Sequence, residues 1–173
     1  MKDISRKMER NSVVLDIETL GLDPFRNRVI AIGFKTAKRY FIKISENEAE
    51  LLKWFWDFSK DKFIIGWNVL KFDVPFLRAR SLIHNIKMHT LRILDIFREL
   101  FQDNQKWHSL SDVAEALFGK PKPNTSQIVA EAYLNKNYKI IEKYLKKDLE
   151  LTYKIFDRMK KTHFLKDIKY IYV

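Results

Sequence analysis

The stretch Ser12-Val13-Val14-Leu15-Asp16-Ile17-Glu18-Thr19 is an apolar run that ends in two acids and predicts a buried strand. Side chains two positions apart on a strand point to the same face, with Cα atoms roughly 6.6 Å apart, so Asp16 and Glu18 emerge side by side. Adjacent carboxylates in an apolar setting repel each other and resist desolvation, and a hard divalent metal ion is the expected counter-charge. Taken alone, the pair also fits a strand that runs out into solvent.

A second acid in an apolar setting lies on a helix predicted over residues 138 to 160. The apolar stripe of this helix consists of Ile141, Leu145, Thr152, Ile155 and Met159. Asp148 falls at the centre of the stripe, and Tyr144 lies on the same face about 6 Å along the helix axis. The tyrosine hydroxyl and the carboxylate can therefore face one site. The alternative, a solvated helix acid paired with a lysine, fits Glu142 or Glu150 better.

These segments, together with a third one, resemble the three exonuclease motifs of the DEDD superfamily, which has the ribonuclease H-like fold. The motifs, in chain order, are Asp-x-Glu (Asp16, Glu18), Asn-x-x-x-Phe-Asp (Asn68, Phe72, Asp73) and Tyr-x-x-x-Asp (Tyr144, Asp148). The DEDDh branch has histidine five residues before the last acid, where this chain has Lys143. A tyrosine four residues before it is typical of the DEDDy branch. The chain is thus similar to the proofreading exonuclease domain of family B DNA polymerases, over residues 13 to 157.

The resemblance implies a two-metal phosphodiesterase site for Mg²⁺ or Mn²⁺. Asp16 would bridge both ions, and Glu18 and Asp148 would complete the coordination of the ion on the nucleophile side. Asp73 would hold the second ion largely through water. Four carboxylates carry roughly −4, which two divalent cations neutralise. A tyrosine hydroxyl is a poor base at neutral pH, so Tyr144 is expected to orient the attacking water.

The residues predicted to contact substrate are Thr19, Leu20, Asn68, Phe72 and Trp67. The aromatic residues among them are included because aromatic faces stack on bases without sequence preference. Asp73 precedes Pro75 and is also a good helix N-cap, but Asn68 and Phe72 complete the motif and favour the site. Asp95 matches no ligand motif and is predicted to cap a helix through Phe97 to Phe101.

The predicted fold is α/β, with a mixed five-stranded sheet, made of an antiparallel meander plus parallel strands, flanked by helices. Strands are predicted over residues 13 to 19, 29 to 35, 39 to 44, 63 to 66 and 91 to 94. The first helix is predicted to begin at Ser45, with Glu48 completing a capping box. Further helices are predicted over residues 73 to 84, 109 to 119 and 138 to 160.

Composition sets limits on the class of protein. The 173 residues, 46% of them hydrophobic, predict one folded domain over residues 1 to 173, and the resemblance implies that it is a single exonuclease domain. The chain has no cysteine, which excludes disulfides and thiolate metal sites. Its four histidines, predicted to be surface or loop residues, lack the close spacing of metal ligands. They are His84, His89, His108 and His163.

The charge balance predicts a polyanionic partner. There are 33 basic and 22 acidic residues, which gives a net charge of +11 and favours nucleic acid; the resemblance implies that the substrate is a single-stranded 3′ end. No run approaches the ~20 apolar residues of a membrane span, and residues 1 to 11 lack the apolar core of a signal peptide, so a cytoplasmic location is expected. A replication or repair partner acting in trans is a further hypothesis. Residues 127 to 134 loosely resemble a sliding-clamp-binding peptide, but a helix surface is the better interpretation.

The function predicted from the resemblance is 3′-to-5′ hydrolysis of single-stranded nucleic acid to nucleoside 5′-monophosphates, with DNA favoured. An exoribonuclease with the same site is a competing hypothesis, because one sequence does not show what recognises the ribose 2′-hydroxyl. Two more hypotheses are a non-catalytic nucleic-acid-binding module and a divalent-dependent endonuclease.

Overall fold

A computed structural model describes residues 11–101, 108–119, 126–165 and 171–173. Within these ranges, six strands form one mixed sheet in the order β3-β2-β1-β4-β5-β6. The strands are β1 (Ser12–Thr19), β2 (Val29–Lys35), β3 (Tyr40–Ile44), β4 (Phe63–Gly66), β5 (Arg92–Asp95) and β6 (Ile171–Tyr172). The pairs β1–β2, β2–β3 and β5–β6 are antiparallel, and β1–β4 and β4–β5 are parallel.

The five predicted strands are confirmed, and β6 is an addition that the sequence did not predict. This strand has two residues, too few to show a periodic pattern, and it pairs with β5 through Arg92↔Tyr172 and Ile93↔Ile171. Backbone hydrogen bonds between Leu91 and Val173 extend the pairing.

The helices in the described part of the chain are α1 (Glu48–Ser59), α2 (Asp73–Ile83), α3 (Ile96–Phe101), α4 (Leu110–Phe118), α5 (Ser126–Leu134) and α6 (Tyr138–Lys161). Ser109 and Asp112 form a capping box at the start of α4, and Gly119 ends this helix in the left-handed conformation.

The predicted start of α1 is wrong. Asn47, not Ser45, is the N-cap, and its side chain accepts a hydrogen bond from the backbone N–H of Glu50 (3.3 Å). Glu48 does not complete a capping box, because its buried carboxylate accepts hydrogen bonds from the backbone N–H of Val29 (2.7 Å) and from Arg80. Ser45 and Asn47 are both good N-cap residues, and contacts with distant parts of the chain decide that the helix begins after Asn47.

Strand β1 separates two apolar clusters. Val13, Leu15 and Ile17 pack on the face covered by α1 and α2. Val14 packs on the opposite face, which α6 covers. Side chains alternate along a strand, so Asp16 and Glu18 continue the Val14 face and point toward the α6 side.

Small residues on β2 let α6 approach the sheet beside these acids. Gly33 pairs with Asp16, and Ala31 pairs with Glu18. A Cβ atom at Gly33 would lie 2.7 Å from Leu149 Cδ1 and 2.9 Å from Leu145 Cγ. The helix that carries Asp148 therefore rests directly on the backbone of β2.

Gly33→Ala is expected to destabilise the fold by about 1–3 kcal/mol, because the added methyl overpacks a well-filled contact between β2 and α6. The variant should also bind Mn²⁺ more weakly than wild type, since it pushes Asp148 away from β1. Urea unfolding and Mn²⁺ titration measure the two effects. Wild-type stability with wild-type Mn²⁺ affinity would show that α6 does not depend on this close approach.

Candidate active site

Three of the predicted site acids come together on the α6 side of the sheet. Asp16, Glu18 and Asp148 each offer a carboxylate oxygen, and these oxygens lie within 4.8 Å of one another. All three side chains are partly buried. The arrangement can hold a divalent cation, because hard cations prefer several oxygen ligands at once.

At the end of β1, its pairing with β2 skips Ile30 of β2, as in a β-bulge. The register between β1 and β2 shifts between Glu18 and Thr19, which is the point where the strand leaves the site. Bulges bend a strand and re-aim its side chains, and they are common beside active sites. The hydroxyl of Thr19 then donates to the carbonyl of Gly21 (2.7 Å), and the N–H of Leu20 donates to the carbonyl of Arg28 (3.1 Å). The predicted substrate contacts Thr19 and Leu20 thus lie in a hydrogen-bonded connection next to the acids.

Helix α6 supplies Asp148 in the way that its periodicity predicted. The buried residues of the helix are Ile141, Leu145, Leu149, Thr152, Ile155, Phe156 and Met159. Asp148 lies on the same face of the helix as these residues, and its carboxylate points toward Asp16 and Glu18 of β1. Tyr144, one turn earlier, is half-buried and packs against the same apolar cluster.

Asp73 lies next to the triad formed by Asp16, Glu18 and Asp148. It is the first residue of α2 and is only 5% exposed. The residue before it, Phe72, is the N-cap of α2, so the alternative of Asp73 as the N-cap is wrong. Burial, assisted by the charges of Asp95 and Glu18, raises the pKa of Asp73 to about 8, although a backbone hydrogen bond from Ile17 opposes the change. Strand β1 pairs with β4 only over Ser12–Val14, which leaves its backbone near Ile17 available to Asp73.

A family model described as RNase_H superfamily matches residues 13–160 of this chain, and this range contains all four acids. The chain belongs to the RNase H superfamily. RNase H-like nucleases use divalent metal ions, and the acidic cluster agrees with that chemistry.

Two further similarities have been found. An uncharacterized protein of Methanocaldococcus jannaschii is 43% identical over 82 residues, which is 46% of this chain and 46% of that protein. The structure of the family B DNA polymerase from the hyperthermophilic archaeon Pyrobaculum calidifontis matches with a TM-score of 0.74 and 18% identity, over 86% of this chain and 24% of the polymerase. The chain thus spans under half of the first protein and about a quarter of the second. The predicted ribonuclease H-like fold and the likeness to a family B polymerase are confirmed at the level of fold.

The sequence predicted only a helix-capping role for Asp95, but in the structure this residue makes further contacts beside the acids. As predicted, it caps α3, since the N–H of Arg98 donates to Oδ1 (3.3 Å). It also accepts hydrogen bonds from the N–H groups of Asn68 and Leu70, and its charge acts on Asp73. The sequence carried one signal for this position, because Asp95 follows the fifth predicted strand of a sheet predicted to contain parallel strands, and the carboxyl ends of parallel strands meet at one edge of a sheet.

The remaining predicted substrate contacts lie at the same edge. Asn68 is in the left-handed region (φ 56°), and its buried Oδ1 has no hydrogen-bond partner among the described residues. The ring of Trp67 packs edge-on against Phe97 (5.7 Å between centroids), and the ring of Phe72 packs against Phe76 (5.6 Å). These aromatic residues contribute to packing, and their contact with substrate stays a prediction.

Three of the histidines contact protein groups outside the candidate site. His84 bonds to Glu48 (2.8 Å), His89 to the carbonyl of Trp56 (2.8 Å), and the ring of His108 stacks on Phe101 (4.7 Å). Among the described residues, no helix of this RNase H superfamily protein has the length and apolar character needed to cross a bilayer.

Asp73→Asn is expected to change the pH dependence of stability in EDTA. Because the pKa of Asp73 is raised from 3.8 to about 8, the folded wild type holds a proton that the unfolded chain has released between these values. The free energy of unfolding therefore falls as pH rises through this window, by about 1.4 kcal/mol per pH unit for one full proton. Asparagine removes this contribution. Thermal unfolding from pH 5 to 9 measures the slope.

The exposed acid Asp57 on α1 provides the control, since Asp57→Asn should keep the wild-type slope. Saturating Mn²⁺ should flatten the wild-type slope as well, because a bound cation favours the ionised carboxylate. Equal slopes for wild type and Asp73→Asn in EDTA would contradict the raised pKa.

Proposed function

We propose that this protein is a divalent-metal-dependent 3′-to-5′ exonuclease of the DEDDy type. Its substrate would be single-stranded nucleic acid, DNA in preference to RNA, and its products nucleoside 5′-monophosphates. The observation that carries the proposal is the convergence of Asp16, Glu18 and Asp148 within 4.8 Å, in an RNase H superfamily chain, with Asp73 electrostatically linked to Glu18.

The donor set fits Mg²⁺ or Mn²⁺. The candidate ligands are carboxylate oxygens, which suit hard cations, and the chain contains no thiolate donor. Burial near other acids raises the pKa of Asp73 and so disfavours its ionised form, and a divalent cation would reverse this effect. Asp16, Glu18 and Asp148 would hold one ion, and Asp73 with Asp16 the other.

When bound, two divalent ions would stabilise the attacking and leaving oxygens of phosphodiester cleavage. The protein's own part is positioning. Strand β1 and helix α6 hold the carboxylates of Asp16, Glu18 and Asp148 on a packed scaffold, so little reorganisation is needed during reaction. The hydroxyl of Tyr144 would hydrogen-bond the attacking water and orient it toward the phosphorus atom.

The preference for nucleic acid rests on charge as well as fold. A net charge of +11 attracts the phosphate backbone, which supplies most sequence-independent affinity. The preference for DNA follows from the polymerase likeness and is part of the proposal, as are a cytoplasmic location and a partner in replication or repair.

The test uses single-stranded DNA and RNA of one sequence, labelled at the 5′ end, and circular single-stranded DNA, each with Mg²⁺ or Mn²⁺. We expect linear DNA to shorten from its 3′ end with release of nucleoside 5′-monophosphates, circles to survive, and EDTA to stop the reaction. Cleavage of circles would indicate an endonuclease, and cleavage of RNA alone an exoribonuclease. Salt-dependent binding without product would indicate a non-catalytic module.

A further inference from the structure

Asp95 is nearly fully buried at the end of β5, where it pairs with Gly66 of β4, and is only 3% exposed. Its Oδ1 accepts the backbone N–H of Asn68 (3.0 Å) and of Arg98 (3.3 Å), and its Oδ2 accepts the N–H of Leu70 (2.9 Å). The cap of α3 uses the N–H groups of Phe97 and Arg98, and the Arg98 bond is the longest of the three distances given above. The two shorter bonds tie Asp95 to the turn between β4 and α2.

This turn is ordered by its own backbone from Asn68 to the start of α2. The carbonyl of Asn68 accepts the N–H groups of Lys71 and Phe72 (both 3.1 Å), and the carbonyl of Val69 accepts the N–H of Val74 (3.0 Å). Because the chain is bonded at each step, a displacement of Asn68 would be passed on to Asp73.

We propose that Asp95 is a positioning residue that clamps the turn from Asn68 to Leu70 and thereby sets the places of Asn68 and Asp73 in the site. Both carboxylate oxygens of Asp95 are engaged by backbone donors, so Asp95 acts through these residues rather than as a further ligand. It holds Asn68 in the left-handed conformation, which directs the buried Oδ1 of that residue.

The same clamp fixes Asp73 relative to β1. Asp73 receives a backbone hydrogen bond from Ile17, which lies between Asp16 and Glu18, so one end of the turn is tied to β5 and the other to β1. The inference rests on the proposed function only in assigning Asp73 to metal binding. Outer residues that orient ligands typically change metal affinity or activity 10–100-fold when they are substituted.

The test is Mn²⁺ titration calorimetry on the full chain, together with hydrogen exchange of the Asn68 and Leu70 amides. In Asp95→Asn, one oxygen can still cap α3, but the amide group cannot accept the N–H of Leu70. We expect the Mn²⁺ affinity that depends on Asp73 to fall at least 10-fold, and the Leu70 amide, which loses its acceptor, to exchange faster. Asp95→Ser, which keeps a helix-capping oxygen, should give the same losses and serves if the asparagine variant does not fold.

The matched control is Asp112→Asn in α4. Asp112 also accepts a backbone N–H at a helix start, from Ser109 (2.8 Å), and it takes no part in the site described above. This variant should keep wild-type Mn²⁺ binding and wild-type exchange at Asn68 and Leu70. Wild-type Mn²⁺ binding in Asp95→Asn or Asp95→Ser would overturn the positioning role, whatever the change in melting temperature.

These measurements separate the clamp from the nuclease proposal. Mn²⁺ binding that depends on Asp95, in a protein that cleaves no nucleic acid, would support the clamp and overturn the nuclease. Hydrolysis by the wild type, with unchanged Mn²⁺ affinity in either Asp95 variant, would support the nuclease and overturn the clamp.

Discussion

Asp148→Asn is expected to lower the rate of DNA hydrolysis by about 10³-fold or more. Asp148 is the contribution of α6 to the triad, and asparagine removes the charge that would hold a cation between the helix and β1. Metal ions contribute several kcal/mol of charge stabilisation in the transition state, and each 1.4 kcal/mol is a factor of about ten in rate. Single-turnover hydrolysis of 5′-labelled single-stranded DNA with saturating Mg²⁺ measures the loss.

The same substitution should leave the fold intact and, in EDTA, equal or exceed the wild type in stability, because it relieves repulsion among close carboxylates. Glu142→Gln is the matched control. Glu142 lies on the same helix, has a side chain that is 44% exposed and pairs with Lys146, so its loss should change the rate little. Near-wild-type hydrolysis by Asp148→Asn, or wild-type hydrolysis in excess EDTA, would contradict the metal-dependent mechanism.

Tyr144→Phe is expected to lower the chemical rate by about 10²-fold while Mn²⁺ and DNA binding stay near wild type. A positioned group in acid–base work contributes on this scale, and the substitution removes only the hydroxyl that would orient the attacking water. If Tyr144 is an ordinary aromatic residue of the apolar cluster, the rate should not change, and stability should change by about 1 kcal/mol at most. Single-turnover rates and urea unfolding decide between these outcomes.

Tyr153→Phe provides the comparison for the lost hydroxyl. Tyr153 lies on the same helix, and its ring packs against the Lys35 ammonium (4.7 Å), a contact that phenylalanine preserves. This variant should keep the wild-type rate. A Tyr144→Phe enzyme as fast as Tyr153→Phe would remove Tyr144 from the active site and leave the role of the four acids unchanged.

Local periodicity was sufficient to predict much of the scaffold and three of the acids. Alternation along β1 indicated that Asp16 and Glu18 share a face, and the helical stripe of α6 indicated that Asp148 lies toward the sheet. Such patterns are readable because each depends on residues two to four positions apart. The five longer strands were predicted for the same reason, whereas the two residues of β6 carry no pattern.

Features that depend on distant contacts were missed or mistaken. The N-cap of α1 is Asn47 and not the predicted Ser45, and the carboxylate of Glu48 accepts a hydrogen bond from Arg80, 32 residues away. Nothing in the local pattern indicated that α6 would pack against Gly33, because Leu145 and Leu149, which contact it, lie more than one hundred residues later.

The sequence by itself determined which acids are the candidates for metal binding, since their setting in apolar strands and helices is a local property of the chain. Only the tertiary structure decided how close three of these acids lie to one another and how deeply the fourth, Asp73, is buried. It placed Asp16, Glu18 and Asp148 within 4.8 Å, and it buried Asp73 so that its pKa rises. It also gave Asp95 its connection to the turn after β4, because hydrogen bonds and desolvation depend on which distant segments fold against each other.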